Sequence, residues 1–351
     1  KDLKLNSNFS NSEGIIAYSP FNSTEFQFYT SKKVSQNSSN LFMPSESTKK
    51  FVFAAFNNSH LPNLVFEDLH KINIDSAKSI FESALSFPNE TNFKDYKIQF
   101  EAAQKLLNTD LLQKVILSRI IHFSIKDLDI NPIAYFKSIC RKYPQSFNYL
   151  CYHPTCGLWI GATPETLLEI KGNQLNSMSL AGTRPKEEHP PKWRTKEIEE
   201  QTIVTKYIRN VLKSHFSGEL KESKVENLFT GSVWHLITRF EQELESGDFS
   251  KLKDFIADIH PTPAISGLPK TAALNAIEKI EKHDRQYYTG FLGLVEAENV
   301  HLFVNLRCLR WQEDKVAFFV GGGITKDSKL LEEWEETTNK SQTLLQLFNK
   351  M

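Results

Sequence analysis

Apolar and polar positions along the chain predict blocks of strands separated by a few helices. Apolar runs typical of strands cover 14–18, 25–29, 51–57, 114–119, 147–153, 157–161, 166–171, 286–294, 300–310 and 315–320. Apolar residues at helical spacing cover 102–112, 133–143, 193–215, 271–282 and the segment from Ser328 onward. Strands and helices come in blocks without a regular βαβ alternation. The pattern therefore favours an α+β fold with large, mainly antiparallel sheets.

Composition narrows the class of protein. The chain has 351 residues, of which 40% are hydrophobic and 24% charged, as in ordinary soluble globular proteins. Lys plus Arg and Asp plus Glu both number 42, so no basic excess points to nucleic acid. No apolar run approaches the ~18–20 residues of a membrane span, and the polar start lacks a signal-peptide core. We expect a cytoplasmic protein that binds neither nucleic acid nor a membrane.

Four cysteines in so long a chain do not form the pattern of a disulfide framework; they are Cys140, Cys151, Cys156 and Cys308. Cys151 and Cys156 flank His153, which suggests a zinc hydrolase as one alternative. Their spacing is not that of a zinc motif, and no second ligand pair follows. We interpret them as ordinary buried cysteines.

Two pairs of glutamates have the spacing of a metal site. Glu197 with Glu200, and Glu333 with Glu336, lie three residues apart on predicted helices and so share a helix face. Lys340 follows four residues after Glu336 on the same face. Two such pairs on separate helices can converge on one hard cation, and all-oxygen ligands suit Mg²⁺. Spacing alone is more often typical of a solvated acidic face.

Lys114 and Glu165 are candidates for acid–base chemistry. Lys114 begins an apolar strand, where burial favours the neutral form that a general base needs. The turn 161–165 holds Pro164 and presents Glu165 between two apolar strands. A carboxyl group in such a sheltered turn can stay protonated and act as a general acid. The alternatives are a lysine that extends to water and a solvated turn glutamate.

Several other segments are candidates for ligand contacts. The segment 318–324 reads as strand, glycine turn and helix, so its backbone N–H groups can hold a carboxylate or phosphate. The turns 181–185 and 266–269 also allow close backbone approach. Arg307 is a candidate carboxylate clamp. His235 is by default a core histidine.

Taken together, these segments resemble the chorismate-utilising family, which includes isochorismate, salicylate, anthranilate and aminodeoxychorismate synthases. The resemblance runs from about residue 97 to the C-terminus. The matching segments, in order, are KVILSR (114–119), GATPE (161–165), LAGTRP (180–185), EIEEQ (197–201), VWHL (233–236), HPTPAISGLP (260–269), DRQYYTGFLG (284–293), LRC (306–308), VGGGI (320–324) and EEWEET (332–337).

Within this family the chain is most similar to the isochorismate synthases. Lys114 matches the base of the water-using members, where anthranilate synthases carry glutamine. Ala181 stands where aminodeoxychorismate synthases carry a lysine nucleophile. The segment 260–269 is more similar to isochorismate synthases than to the salicylate-forming branch. Gln201 is a departure, because relatives often have histidine there.

The resemblance implies a Mg²⁺-dependent isomerisation of chorismate to isochorismate, with Lys114 as base and Glu165 as acid. It implies that Glu200 and Glu336 bind the metal and that Glu197 and Glu333 act through metal-bound water. The substrate-binding residues it implies are Ala181, Gly182, Thr183, His235, Ser266, Arg307, Gly321, Gly323 and Lys340. A salicylate synthase and a non-catalytic scaffold of the same fold are the alternatives.

The resemblance also implies the architecture and the partners. We expect a single domain over 1–351, with two mainly antiparallel sheets packed as a sandwich and helices outside, as in component I of anthranilate and aminodeoxychorismate synthases. The region 1–95 carries no matched motif, and 96–351 is the catalytic region. We expect a monomer without a glutaminase subunit, which makes isochorismate for a menaquinone or a siderophore pathway.

Overall fold

A computed structural model of the chain describes residues 13–36, 49–57, 61–73, 81, 83, 85–109, 111–185, 191–230 and 233–349. Its strands are β1 (Gly14–Ser19), β2 (Gln27–Ser31), β3 (Lys33–Ser35), β4 (Lys50–Ala54), β5 (Leu64–Glu67), β6 (His70–Ile72), β7 (Lys114–Ser124), β8 (Phe147–His153), β9 (Gly157–Thr163), β10 (Thr166–Lys171), β11 (Gln174–Pro185), β12 (Leu220–Glu222), β13 (Glu226–Phe229), β14 (Val233–Glu243), β15 (Gly267–Leu268), β16 (Phe291–Glu296), β17 (Asn299–Val304), β18 (Cys308–Gln312) and β19 (Lys315–Ile324).

These strands form two antiparallel sheets. The first sheet has nine strands among the described residues, in the order β15–β7–β19–β18–β9–β8–β1–β2–β6. The second has ten, in the order β12–β14–β11–β10–β17–β16–β4–β5–β3, with β13 paired to β14. The N-terminal strands β1 and β2 extend the first sheet, and β4 and β5 extend the second. The predicted pair of antiparallel sheets is confirmed.

Helices cover the outer faces of both sheets. They are α1 (Phe93–Leu107), α2 (Pro132–Lys142), α3 (Thr195–His215), α4 (Leu252–Ile259), α5 (Lys270–Ile280) and α6 (Leu330–Phe348). Apolar residues of α3 and α4, such as Ile208 and Phe255, pack on the second sheet. Those of α2 and the end of α6, such as Phe136 and Phe348, pack on the first. None of the helices in the described ranges is long and apolar enough to cross a membrane.

A core of large aromatic side chains separates the two sheets. Phe147 of the first sheet stacks on Phe303 of the second, with ring centroids 4.3 Å apart. Trp159 and Phe53 meet in the same layer at 6.1 Å. Each such side chain contributes about 1.5–3 kcal/mol by leaving water. This packing holds the sheets together, and the space between them opens into a cavity at one end.

Several predicted elements have different ends from the observed ones, as for the strand predicted over 286–294, which begins at Phe291. Side-chain and backbone interactions explain two of these differences. The helix predicted over 102–112 is α1, which begins at Phe93 because the Asn92 side chain caps the N–H of Asp95. The strand predicted over 300–310 is two strands, β17 and β18. Arg307 between them has φ 48°, a left-handed conformation that breaks the strand.

The predicted glycine turn at 321–323 is wrong. These glycines lie within β19 and pair with β7, with Gly321 opposite Ser118 and Gly323 opposite Ile116. A local rule treats three successive glycines as a turn, but the long ladder with β7 keeps them extended. The segment 181–185, also predicted as a turn, is part of β11, which carries a bulge between Ala181 and Arg184.

Candidate active site

A cavity of about 150 Å³ lies where both sheets meet the helices α3 and α6. The chain crosses between the sheets at two points beside it. One crossing, between β9 and β10, carries Glu165, and the other, between β17 and β18, carries Arg307. The backbone N–H of Val304 donates to the carbonyl of Glu165 at 2.9 Å and ties the crossings together. Both crossings therefore place a charged residue in the cavity wall.

Most of the sequence-predicted site residues line this cavity. From the two sheets and the crossings come Lys114, Glu165, Ala181, Gly182, Thr183, His235, Arg307, Gly321 and Gly323, and from the helices come Glu200, Glu336 and Lys340. Their positions span more than two hundred residues of sequence, from Lys114 to Lys340. The fold thus gathers groups that the chain holds far apart.

Lys114 and Glu165 are the buried acid–base candidates of the cavity. The Lys114 side chain is 2% exposed, and its Nζ lies 4.0 Å from Oε1 of Glu200. Glu165 is also buried, and this burial raises the pKa of its carboxyl to about 8, although the charge of Lys114 lowers it. The carboxyl is therefore protonated at neutral pH. That is the state in which a general acid must start.

Gly323 explains how Lys114 reaches its position. A Cβ atom on Gly323 would lie 2.7 Å from Cε of Lys114 and 3.2 Å from Oε1 of Glu200. Atoms at 2.7 Å overlap, so any side chain at 323 would push Lys114 away from Glu200. Glycine near the end of β19 keeps this space open.

Arg307 and His235 form one network on the opposite wall. Arg307 donates to the Thr230 carbonyl at 3.0 Å, to its hydroxyl at 2.6 Å and to Nε2 of His235 at 3.1 Å. Burial, and next the charge of Arg307, lower the pKa of His235 to about 3, so its ring is neutral. Since Nε2 accepts from Arg307, the ring proton is on Nδ1, which donates to the Gly182 carbonyl at 2.9 Å. His235 thus orients Arg307 rather than moving protons.

The glutamates of α6 are held by lysines. Lys340 lies 2.7 Å from Oε1 of Glu336 and donates to the Gly321 carbonyl at 2.9 Å. Burial raises the pKa of Glu336, but the nearby Lys340 ammonium outweighs it and the pKa is lowered. Burial and the charge of Glu336 raise the pKa of Glu333. Oε1 of Glu333 accepts from Lys196 at 2.6 Å and from Ser328 at 2.7 Å.

The structure does not bring three predicted residues into the cavity wall. Glu333 lies behind Gly322, with Oε2 3.3 Å from the point where a Gly322 Cβ would be. The Glu197 side chain points to Arg194, and Oε1 of Glu197 lies 2.8 Å from Nη2 of Arg194. Glu197 also caps the start of α3. Ser266 is fully buried and donates to the Thr262 carbonyl. The Ser266 backbone carbonyl accepts from the N–H of Ile116, so Ser266 helps to hold β7 in place without lining the cavity.

Sequence reasoning missed several residues of the site. Thr343 lines the cavity, and its position seven residues after Glu336 on α6 was the available signal, since that spacing repeats a helix face. Tyr288 and Ile116 also line it, within the matched segment 284–293 and the strand of Lys114. Lys196 gave no signal, because its partner Glu333 is 137 residues away. Gln201 is buried and donates to Ser179 and Thr238, so it belongs to the packing of α3.

The carboxylates present fit a hard cation that also takes ligand oxygens. Within the described part of the chain, no group of three or more His, Cys, Asp or Glu side chains is arranged to hold a metal alone. Mg²⁺ in proteins uses one or two carboxylates and completes its shell with water and substrate. Glu200 and Glu336 line the cavity, and Oε2 of Glu333 is buried without a hydrogen-bond partner among the described residues. The four cysteines are buried free thiols.

A protonated buried acid, a buried lysine and a half-buried arginine, placed in one cavity with carboxylates, define an enzyme that acts on an anionic substrate. The chain belongs to the chorismate-binding enzyme family, whose model matches residues 22–346. The family resemblance stated from the sequence is thereby confirmed.

Similar proteins agree with this family. Isochorismate synthase EntC of Escherichia coli (strain K12) is 30% identical over 273 residues, which cover 75% of this chain and 68% of that protein. Isochorismate synthase DhbC of Bacillus subtilis (strain 168) is 27% identical over 269 residues, covering 72% and 67%.

Two solved structures share the fold. The menaquinone-specific isochorismate synthase MenF from Escherichia coli superposes with a TM-score of 0.76 and 17% identity, over 95% of this chain and 88% of that one. Anthranilate synthase component I from Streptococcus pneumoniae TIGR4 superposes with a TM-score of 0.71 and 18% identity, over 98% and 94%. The sandwich architecture is common to both branches of the family.

Proposed function

We propose that the protein isomerises chorismate to isochorismate with the help of Mg²⁺. The observation that carries the proposal is the pair Lys114 and Glu165, a buried amine and a carboxyl that stays protonated at neutral pH, in one cavity. Relatives that are 27% to 30% identical are isochorismate synthases, which supports the same reaction here.

Binding of the substrate follows from the charges in the cavity wall. Chorismate carries two carboxylates, and Arg307 is held by Thr230 and His235 as a fixed donor for the enolpyruvyl carboxylate. Because His235 stays neutral, it adds no second charge at this wall and keeps the guanidinium in one orientation. The Gly321 backbone, Lys340 and the bulge at Ala181–Thr183 line the same cavity. In this proposal they contact the remaining part of chorismate.

The reaction needs one base and one acid on different faces of the ring. Lys114, in its neutral form, accepts a proton from the water that attacks C2. The ring double bond shifts, the C4–oxygen bond breaks, and Glu165 donates its proton to the departing hydroxyl, which leaves as water. Lys114 ends protonated and Glu165 ends ionised, and solvent restores both. Paired acid and base groups of this kind each contribute about 10²- to 10⁴-fold in rate.

The carboxylates of α3 and α6 are the metal-binding groups of this proposal. Glu200 and Glu336 would hold Mg²⁺ directly, and Glu333 and Glu197 would act through water. The metal supplies charge neutralisation and positioning for the ring carboxylate of the substrate. Because Glu200 lies 4.0 Å from Nζ of Lys114, a metal held by Glu200 would place that carboxylate near the base.

The test is incubation of the purified protein with chorismate, with and without Mg²⁺, followed by separation and mass spectrometry of the products. We expect a Mg²⁺-dependent product with the mass of chorismate and no accumulation of pyruvate. Salicylate with pyruvate would assign the protein to the salicylate-forming branch instead. No consumption of chorismate by a folded sample would refute the proposal and support a non-catalytic role.

A further inference from the structure

Glu200, Glu333 and Glu336, here called the carboxylate site, are each paired with a lysine. Lys114 lies 4.0 Å from Glu200, Lys196 lies 2.6 Å from Glu333, and Lys340 lies 2.7 Å from Glu336. The lysines of the last two pairs are ammonium groups, so the charges of Glu333 and Glu336 are balanced before any ligand arrives. Lys114 is the neutral base of the proposed reaction and adds no charge to this balance.

Lys196 differs from the other two lysines in its position. Lys114 and Lys340 line the cavity, whereas Lys196 is absent from its wall as far as the described residues define it. Lys196 sits in the first turn of α3 and reaches across to α6, and its side chain is 29% exposed. It therefore acts on the carboxylate site without contacting the substrate.

The charge balance makes the two ligands depend on each other. Mg²⁺ alone brings two positive charges next to the Lys196 ammonium, which is paired with the Glu333 carboxylate. Like charges repel most strongly in a site shielded from water. A dianionic substrate alone brings two negative charges next to Glu200 and Glu336, which line the cavity. Metal and dianion together add no net charge.

We propose that Lys196 is the resident counter-ion of the metal site and makes Mg²⁺ binding conditional on the dianionic substrate. The inference rests on the proposed function. Since coupling between two ligands is reciprocal, chorismate also binds more tightly when Mg²⁺ is present. Without Lys196, Glu333 would be a buried and unpaired carboxylate, which attracts a cation even when the cavity is empty.

The test is calorimetric titration of Mg²⁺ into the substrate-free wild type and into Lys196→Met. We expect the variant to bind Mg²⁺ about tenfold more tightly, which is a common size for coupling between sites. Repeating both titrations with chorismate in a Glu165→Gln background, to prevent turnover, should show a smaller gain from chorismate when Lys196 is replaced. Equal or weaker Mg²⁺ binding by substrate-free Lys196→Met would overturn the proposal.

Two further variants serve as controls. Lys329→Met removes an exposed lysine that pairs with Glu332 at 3.0 Å at the start of α6 and should leave Mg²⁺ binding unchanged. Lys196→Arg keeps the charge and should behave as the wild type does. If Lys196→Met does not fold by circular dichroism, Lys196→Gln decides: substrate-free Mg²⁺ affinity equal to that of the wild type refutes the role of Lys196, and tighter binding supports it.

The outcomes separate this inference from the proposed function. Absence of a Mg²⁺-dependent isomer of chorismate in the product assay refutes the proposed function. If that isomer forms, and substrate-free Lys196→Met binds Mg²⁺ as the wild type does, only the role of Lys196 is refuted.

Discussion

Glu165 and Lys114 each combine a charged side chain with nearly complete burial. The carboxyl of Glu165 lies in the crossing between the sheets, and burial is the larger of the two influences on its pKa. Lys114 is the first residue of β7, and Gly323 leaves space for its side chain. For Glu165, the loss of hydration disfavours the charged form of the carboxyl and raises its pKa.

The raised pKa of Glu165 predicts a specific dependence of stability on pH. The folded carboxyl has a pKa of about 8 against an ordinary value of 4.5, so the folded state keeps a proton that the unfolded chain releases. The stabilisation is fully present below the ordinary value and is lost as pH rises through about 8. In Glu165→Gln the urea midpoint should fall less steeply from about pH 6 to about pH 9 than in the wild type. Parallel slopes in the two proteins would contradict the raised pKa.

Replacement of Lys114 tests the base directly. Lys114→Ala should lower kcat by about 10²- to 10⁴-fold, the usual contribution of a general base, while circular dichroism shows a retained fold. The matched control is Lys315→Ala, an exposed lysine at the start of β19 in the same sheet. It should keep normal kcat. A normal kcat in Lys114→Ala would remove Lys114 from the mechanism.

At the scale of elements, α6 is fixed to the first sheet by Arg119 of β7. The Arg119 guanidinium lies 3.5 Å above the Trp334 ring, and its Nε donates to the Thr337 hydroxyl at 2.8 Å. Thr337 directly follows Glu336, so this contact fixes the register of the carboxylate helix on the strand that carries Lys114. Arg119 and Lys114 are five residues apart on β7, so the alternation of a strand places them on opposite faces, and they contact different groups.

The strand β19 gives the element-scale prediction. Gly323→Ala should reduce kcat by about 10²-fold, because its Cβ would displace Lys114, and displacements of about 1 Å near the chemistry have that effect. The φ of Gly323 is not positive, so alanine is compatible with the backbone and thermal stability should change little. Steady-state kinetics and thermal unfolding of the variant provide the check. An active Gly323→Ala enzyme would show that Lys114 does not need its present position.

At the scale of the whole molecule, the site belongs to neither sheet alone. Lys114 comes from the first sheet, His235 from the second, and Arg307 from a crossing between them. A ligand that contacts all three holds the sheets together at the open end of the aromatic core. Binding and global stability are therefore linked.

This linkage predicts a joint effect of the two ligands on thermal unfolding. Chorismate with Mg²⁺ should raise the melting temperature by more than the sum of the two separate effects. At about 100 times its dissociation constant, a ligand adds about 2.7 kcal/mol to stability. Differential scanning calorimetry in the Glu165→Gln background measures this without turnover. Additive shifts would indicate that metal and substrate bind independently.

Local patterns in the sequence determined much of this protein. The strand that begins at Lys114 and the i, i+3 glutamate pairs follow from backbone geometry within a few residues, and the structure contains both. The ordered motifs also determined the family. Ends of elements were less well predicted, as at α1, because capping by a single side chain sets them.

Only the tertiary structure decided how these pieces combine. The glycines of 321–323 are a strand because β7 pairs with them from two hundred residues away, an interaction that no local rule contains. The ion pair of Lys196 with Glu333, the contact of Arg307 with His235 and the neutral carboxyl of Glu165 arise in the same way. Burial and charge pairing depend on which distant segments share a volume, so the sequence supplies the groups and the packing of the two sheets sets their chemistry.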